Sequence, residues 1–176
     1  MNALANRQVG EYLNRHFVSA FQKVATFEIN GGQKQGGNVA AYFCTPDGRV
    51  LHAVAGPVNA HVFLREARWA NETFQMAQLE NPEQLQAFFR KAHVSRLRAE
   101  GVTIAEERLP AAERVTPKTL DQVLALNGHL GLGNRSKVNL LLAVAPTPRL
   151  EHIYRAVFER ILDEKISTNP VQVDGR

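Results

Sequence analysis

The chain has 176 residues, of which 44% are hydrophobic and 22% are charged, with 12 glycines and 8 prolines. This length allows one domain with an appended helical piece, and the composition argues against disorder over the whole chain. The net charge of +4 permits an anionic partner but does not require one. No apolar run is long enough to span a membrane, so we expect a soluble protein with no membrane partner.

The chain contains one cysteine, Cys44, which excludes a disulfide within a monomer and a cysteine-based zinc cluster. The first residues lack the regions of a secretory signal and have the pattern of an amphipathic helix. Both features fit a reducing, cytoplasmic location. An exported protein whose leader lies upstream of Met1 would have the same sequence, so the sequence leaves the localisation open.

The start of the chain predicts a helix, a strand and a loop. Apolar residues recur every four positions from Asn6 to Phe17, as on one face of a helix. The β-prone run from Phe17 to Val24, continued to Ile29, predicts a strand. The glycine-rich segment from Gly31 to Gly37 predicts a turn between strands, with an anion-binding loop as the less common alternative.

The clearest local pattern is an antiparallel hairpin. Two β-prone runs, Asn38 to Cys44 and Arg49 to Ala55, are separated by Thr45 to Gly48 (TPDG), where proline and glycine favour a tight turn. A helix is predicted next, from Ala60 to Thr73, with Asn59 as its cap.

The second half of the chain predicts mainly helices. A helix from Pro82 to Ala99 is followed by a polar segment with prolines, from Ala99 to Lys118, which we interpret as a linker. A long helix is predicted from Pro148 to Lys165, with Thr147 as its cap. The apolar run Val138 to Val144 fits a buried strand or a helix, because periodicity does not separate the two at that length.

The order of these elements resembles the second half of a thioredoxin-like domain, and the hairpin is the specific element. The segments NVAAYFCTPDGRVLHAVAGPV and FLREARWA put Phe43, Gly48 and Gly56 where that family has a phenylalanine and two glycines. The helix from Ala60 to Thr73 corresponds to the family's last helix. The resemblance extends from Ala3 to Phe74, about two fifths of the chain.

The resemblance implies an α/β fold with two parts. Residues 1–80 would form a partial thioredoxin-like sheet with flanking helices, without the family's first strand and redox motif. Residues 81–176 would form a mainly helical extension, either separate or packed on the first part as one domain.

Two departures from the family bear on activity. The CxxC motif would fall before Met1, and Val39 occupies the position of the family's cis-proline. A cis bond before a residue other than proline costs roughly 3 kcal/mol, so we expect a trans bond there. The resemblance then implies a non-catalytic, non-redox protein that acts through protein contact. The alternative is a thiol-disulfide oxidoreductase whose CxxC lies upstream of Met1.

The family's first strand would also fall before Met1, which would leave one sheet edge exposed. An exposed edge is a template for pairing with another strand. The run Val138 to Val144 or a second chain could cover it, so we predict a homodimer through this edge alongside an unidentified protein partner.

Chemistry-bearing residue types give weak patterns. The histidines lack metal-ligand spacing and the serines lack a GxSxG motif, so we assign no catalytic, metal or cofactor residue. Cys44 is a candidate redox-sensitive thiol, although a small core residue is the commoner role. A weaker alternative function is an anion- or nucleic-acid-binding module that uses the basic residues of the helix from Pro82, although aromatic residues do not interleave with them as in proteins that bind single strands. Two groups of residues are candidates for binding a partner. One is a tryptophan with two nearby arginines, and the other is the set of basic residues on the helix from Pro82, for which a solvated helix surface is the commoner role. The candidates are Trp69, Arg65, Arg68, Arg90, Lys91, Arg96 and Arg98.

Overall fold

The computed structural model describes residues 3–22, 28–30, 33–35, 38–79, 84–104, 109, 121–123, 125 and 131–166. Helices and two short antiparallel hairpins make this part of the chain an α/β structure. The elements are a 3-10 turn Ala3–Ala5, α1 Arg7–His16, β1 Glu28–Asn30, β2 Gln33–Gln35, β3 Ala40–Cys44, β4 Val50–Ala55, α2 Ala60–Ala77, α3 Leu85–Ala99, α4 Asn134–Val144 and α5 Leu150–Ala156, which continues as a π-helical segment Val157–Ile161.

The predicted hairpin is confirmed as β3 and β4, which pair antiparallel. Its turn is closed by a hydrogen bond from the Gly48 amide to the Thr45 carbonyl at 3.0 Å, and the Thr45 hydroxyl accepts from the Arg49 amide at 3.0 Å. Gly48 has φ +80°, a conformation that glycine adopts without steric cost. Gly56, with φ +89°, ends β4 and donates to the Val39 carbonyl at 2.8 Å.

The β3–β4 hairpin lies between two groups of helices. One face of the hairpin packs on α1 and α2 and the other on α3, α4 and α5, and a shift in the pairing register between Phe43 and Cys44 interrupts the alternation of side chains along the strands. Buried on the first side are Val9, Phe43, Val54, Phe63, Ala67 and Ala70. Buried on the second side are Val50, Ala53, Val94, Leu97, Leu141, Ile153 and Phe158.

The apolar run Val138 to Val144 is a helix, the end of α4. Every residue in this run is buried, which is why its sequence shows no alternation between a core face and a solvent face. The run is the centre of the larger core, because α4 packs on both α3 and β4.

The predicted helix from Pro148 to Lys165 begins later and ends earlier than expected. The Pro148 carbonyl accepts from the Val50 amide at 2.8 Å, so this residue is tied to the hairpin and cannot start a helix. Thr147, the predicted cap, is buried with φ +49°, and Arg149 occupies the cap position instead.

The strand predicted from Phe17 to Val24 is wrong over the described residues 17–22, which form neither helix nor strand. Phe17 packs against Phe43, with ring centroids 5.4 Å apart, whereas Val18 and Phe21 are almost fully exposed. The rest of that prediction, up to Phe27, lies outside the described residues. Part of the predicted loop Gly31 to Gly37 is instead strand β2, which pairs with β1.

The remaining predictions agree in part with the residues that the structure describes. Helix α2 is capped by Asn59 as predicted, but it extends beyond Thr73 to Ala77, whereas α3 ends at Ala99 as predicted. Asn6, for which no cap was predicted, caps α1. Within the predicted linker, most residues lie outside the description, but Val102 and Leu109 are buried in the larger core. In the described part of the chain, none of the helices is long and apolar enough to cross a membrane.

Candidate functional site

Polar side chains are buried where α2, α3 and α4 meet the hairpin. Glu66 lies on the buried face of α2, and only 3% of its side chain is exposed. A buried carboxylate needs charged or hydrogen-bonding partners, because removing it from water costs several kcal/mol. We call this carboxylate and the side chains bound to it the Glu66 cluster: Glu66, His52, Arg65, Arg96 and Arg135.

The Glu66 carboxylate receives donors from four elements. Nε2 of His52, on β4, lies 3.0 Å from Oε2, and Arg96 of α3 donates from Nη2 to the same oxygen. Arg65, on α2 itself, donates from Nε and Nη2 to Oε1 at 3.4 and 3.3 Å. Nε of Arg135, on α4, lies 3.3 Å from Oε1. One carboxylate therefore links β4, α2, α3 and α4.

The surroundings of Glu66 keep its carboxyl ionised. Burial alone raises its pKa, but the hydrogen bond from His52 and the charge of Arg96 lower that pKa to about 2. Burial lowers the pKa of His52 to about 4, since it disfavours the imidazolium, and the charge of Arg96 acts in the same direction. At neutral pH the pair is a carboxylate that accepts a hydrogen bond from Nε2 of a neutral imidazole.

A second buried histidine, His93 of α3, extends the network. Its Nδ1 lies 3.0 Å from Asn139 Oδ1, and its Nε2 lies 3.1 Å from the Leu51 carbonyl oxygen. A neutral imidazole donates to only one of these acceptors, and an imidazolium would satisfy both. Burial, with the neighbouring His52, nevertheless lowers the pKa of His93 to about 3, so the ring is neutral at pH 7.

Glu100 continues the network from the end of α3 to the start of α4. It accepts from Asn139 Nδ2 at 3.3 Å and from the Ser136 hydroxyl at 2.5 Å. Nε of Arg135 lies 3.1 Å from its Oε1 and so bridges Glu100 and Glu66. The start of α4 is thereby fixed against both carboxylates.

Trp69 covers the inner side of the cluster. The Arg96 guanidinium carbon lies 4.2 Å from the centroid of the Trp69 ring, a cation–π arrangement. The His52 and His93 ring centroids lie 4.9 and 5.1 Å from the same ring. Trp69 is half-buried, and its ring fixes the position of the one guanidinium in the cluster that solvent hardly reaches.

A glutamate that orients an imidazole is the arrangement of an acid–base pair, but here it is closed to solvent. His52 is 1% exposed, and its Nδ1 has no hydrogen-bond partner among the residues that the structure describes. A general base must come within hydrogen-bond distance of a substrate proton. The inner part of the cluster therefore fits a structural role better than catalysis.

The candidate redox-sensitive thiol, Cys44, lies on β3, and the position of the family's cis-proline, Val39, lies just before that strand. Cys44 is half-buried against the larger core, and burial raises the pKa of its thiol to about 11. Val39 is 59% exposed, and all peptide bonds among the described residues, including the one before Val39, are trans.

The predicted partner-binding residues are divided between the core and the surface. Arg96 is 10% exposed within the Glu66 cluster, so it does not belong to an exposed basic face of α3. Arg90 donates to the backbone carbonyls of Leu109 and Val144, both at 3.4 Å. The exposed members of the set are Arg65 and Arg68 on α2 and Lys91 and Arg98 on α3.

Three buried polar residues of the network, Glu66, His93 and Asn139, were not predicted from the sequence, although each leaves a signal there. Each is a polar residue at a position where the helical period requires a core side chain. Asn139 interrupts the apolar run of α4, and Glu66 follows Phe63 on the apolar stripe of α2. Such positions indicate buried polar residues that need partners, but they do not indicate which partners.

A scan against family models and searches of curated proteins and of solved structures find no match to this chain. Within the described ranges, no group of three His, Cys, Asp or Glu side chains is placed to hold a metal ion. The carboxylates of Glu66 and Glu100 instead face arginine, histidine, asparagine and serine donors.

We expect the protein to lose stability as the pH falls from about 7.5 to about 5, because of its two buried histidines. An unfolded histidine takes up a proton near its ordinary pKa of about 6.5, whereas His52 and His93 stay neutral in the folded state until about pH 4 and 3. The unfolded state binds more protons in this range, so the free energy of unfolding falls by about 2 kcal/mol per histidine. Glu66 does not contribute, since the stability from its lowered pKa is lost only below about pH 4.

Urea unfolding at the two pH values measures this loss. His52→Gln should roughly halve it, whereas His61→Gln, at an exposed position on α2, should leave it unchanged. An equal free energy of unfolding for the wild type at both pH values would contradict the neutral, buried state of the two histidines.

Proposed function

We propose that this chain is a non-catalytic, thioredoxin-like protein that acts through contact with another protein. The β3–β4 hairpin, followed directly by a helix that packs across one of its faces, supports the thioredoxin-like part of the proposal. Helix α1 packs on the same side, through Val9, Tyr12 and Leu13. The order of helix, hairpin and helix is that of the family that the sequence resembles, apart from the strand predicted after α1, which residues 17–22 do not form.

The state of the only cysteine supports a role without thiol chemistry. Thiol–disulfide exchange begins with attack by a thiolate, and catalytic cysteines have lowered pKa values. The pKa of Cys44 is raised to about 11 because its thiol is partly buried among apolar side chains. At neutral pH Cys44 is therefore almost entirely in the unreactive thiol form.

The observation that carries the contact proposal is the exposed apolar segment 17–22. Val18 is fully exposed and Phe21 is 90% exposed, on a stretch whose first residue, Phe17, is anchored on Phe43. Large apolar side chains that stay in water on an anchored segment are typical of a surface that another chain covers. A second copy of this chain is the proposed partner at this segment, in place of the predicted pairing through a sheet edge, because residues 17–22 form no strand.

The redox part of the proposal is tested by the reduction of insulin disulfides with dithiothreitol. We expect no acceleration by the protein, and the same result for Cys44→Ala, because so little of the Cys44 thiol is ionised. Turnover at catalytic protein concentration would contradict the proposal and favour a thiol-disulfide oxidoreductase.

The contact part is tested by analytical ultracentrifugation over a range of protein concentrations. The wild type should sediment as a dimer, and Phe21→Asp should shift the population to monomer, because a carboxylate there would be desolvated in the interface. Leu79→Asp is the matched control, since Leu79 is 89% exposed at the end of α2 and outside the segment. A wild-type monomer at every concentration would contradict self-association.

A further inference from the structure

Two half-exposed arginines lie side by side at the outer edge of the Glu66 cluster. Arg65 and Arg135 both lie within 3.4 Å of the same atom, Glu66 Oε1, and their side chains are 49% and 45% exposed. We call them the arginine pair. Two guanidinium groups at one oxygen repel each other, and the arrangement is stable only because carboxylates hold them.

The contacts that hold the pair leave its outer nitrogens available. Arg65 uses Nε and Nη2 on Glu66, and the closest contacts of Arg135 with Glu66 and Glu100 both run through Nε. Among the described residues, Nη1 of Arg65 and both Nη atoms of Arg135 make no hydrogen bond to protein. The carboxylates thus orient the two side chains without using all of their donors, as the supporting residues of a binding site do.

The local charge favours one bound anion. The network contains three guanidinium groups, those of Arg65, Arg96 and Arg135, against the two carboxylates of Glu66 and Glu100, and both buried histidines are neutral. This leaves one uncompensated positive charge. The position of Arg135 in the first turn of α4 adds the positive end of that helix's dipole.

We propose that the arginine pair binds a carboxylate of an acidic segment on a partner protein. The proposal rests on the proposed function in contact with proteins, and it names the chemistry of one such contact. Two oriented guanidinium forks match a carboxylate with parallel N–H···O bonds, and such charge-assisted bonds are stronger than neutral ones. A single net positive charge is matched by one carboxylate of such a segment, whereas binding of a nucleic acid strand depends on the neutralisation of several phosphates.

The test is fluorescence anisotropy with a fluorescein-labelled oligoglutamate peptide, at low ionic strength because salt screens such contacts. The double variant Arg65→Gln with Arg135→Gln should bind at least ~10-fold more weakly than the wild type, as expected when charge-assisted bonds are lost. The control double variant, Arg7→Gln with Arg155→Gln, removes the same net charge at exposed positions outside the pair and should change the affinity less than ~2-fold.

A second measurement does not depend on the stability of these variants. Trp69 is the only tryptophan of the chain and contacts Arg96 within the cluster, so its fluorescence reports on the wild-type site directly. Titration with unlabelled oligoglutamate should change that fluorescence with the same midpoint as the anisotropy.

A third variant separates charge from geometry. Arg65→Lys with Arg135→Lys keeps the positive charges but removes the planar guanidinium groups, and it should weaken binding to an intermediate extent.

Three results would overturn the proposal: no binding of oligoglutamate to the wild type, equal weakening in the pair variant and its control, or tighter, pair-dependent binding of an oligothymidylate. Each of these would leave the insulin and sedimentation results unchanged, because those experiments depend on Cys44 and on segment 17–22. Failure of the arginine pair is therefore distinguishable from failure of the proposed function.

Discussion

The arrangement of the elements around the hairpin depends on the burial of one carboxylate, that of Glu66. With 3% of its side chain exposed, the carboxylate is held by donors from β4, α2, α3 and α4. An ion pair in the core adds little net stability compared with apolar packing, but removal of one partner leaves an uncompensated buried charge and is strongly destabilising. The Glu66 cluster therefore selects one relative placement of these four elements and disfavours others, while the apolar contacts on both faces of the hairpin supply most of the stabilisation.

The same cluster separates an inner, structural part from an outer, accessible part. Its inner groups, His52 and Arg96, pack against Trp69 and are 1% and 10% exposed, and burial together with the charge of Arg96 keeps His52 neutral. Its outer groups, Arg65 and Arg135, have fixed orientations and remain half-exposed. Side chains that become ordered only on binding lower the affinity, because their immobilisation costs free energy. Donors that the interior already holds in place avoid this cost, which favours recognition of a partner. The exposed segment 17–22 is a second surface, which is apolar where the arginine pair is charged. Both surfaces are consistent with a protein that acts by binding other chains.

Local sequence patterns predicted the hairpin, α1 and α2 well, because caps, turn residues and periodicity are encoded within a few neighbouring positions. The patterns failed where contacts between residues far apart in the sequence determine the local structure. Thr147 has the residue type of a helix cap, but the bond from the Val50 amide to Pro148 draws that segment into the hairpin. Residues 17–22 are β-prone, but no described strand pairs with them. The site was missed for the same reason: Glu66 and its partners are up to 69 positions apart along the chain, and a buried polar residue in a helical stripe indicates that a partner exists without identifying it.

The most direct test of this account is a double-mutant cycle between Glu66 and Arg96, with the free energy of unfolding measured at pH 7 by urea denaturation. Glu66→Gln leaves the Arg96 guanidinium without the carboxylate that it contacts, and Arg96→Gln removes the closest donor to the Glu66 carboxylate. Each should destabilise the protein by about 3 kcal/mol, and the double variant should be little worse than either. Glu11→Gln, at an exposed i,i+4 pair on α1, should cost less than about 0.5 kcal/mol and calibrates the loss of an ordinary ion pair. Additive effects of the two cluster variants, or a Glu66→Gln protein as stable as the wild type, would contradict the central place of the Glu66 carboxylate.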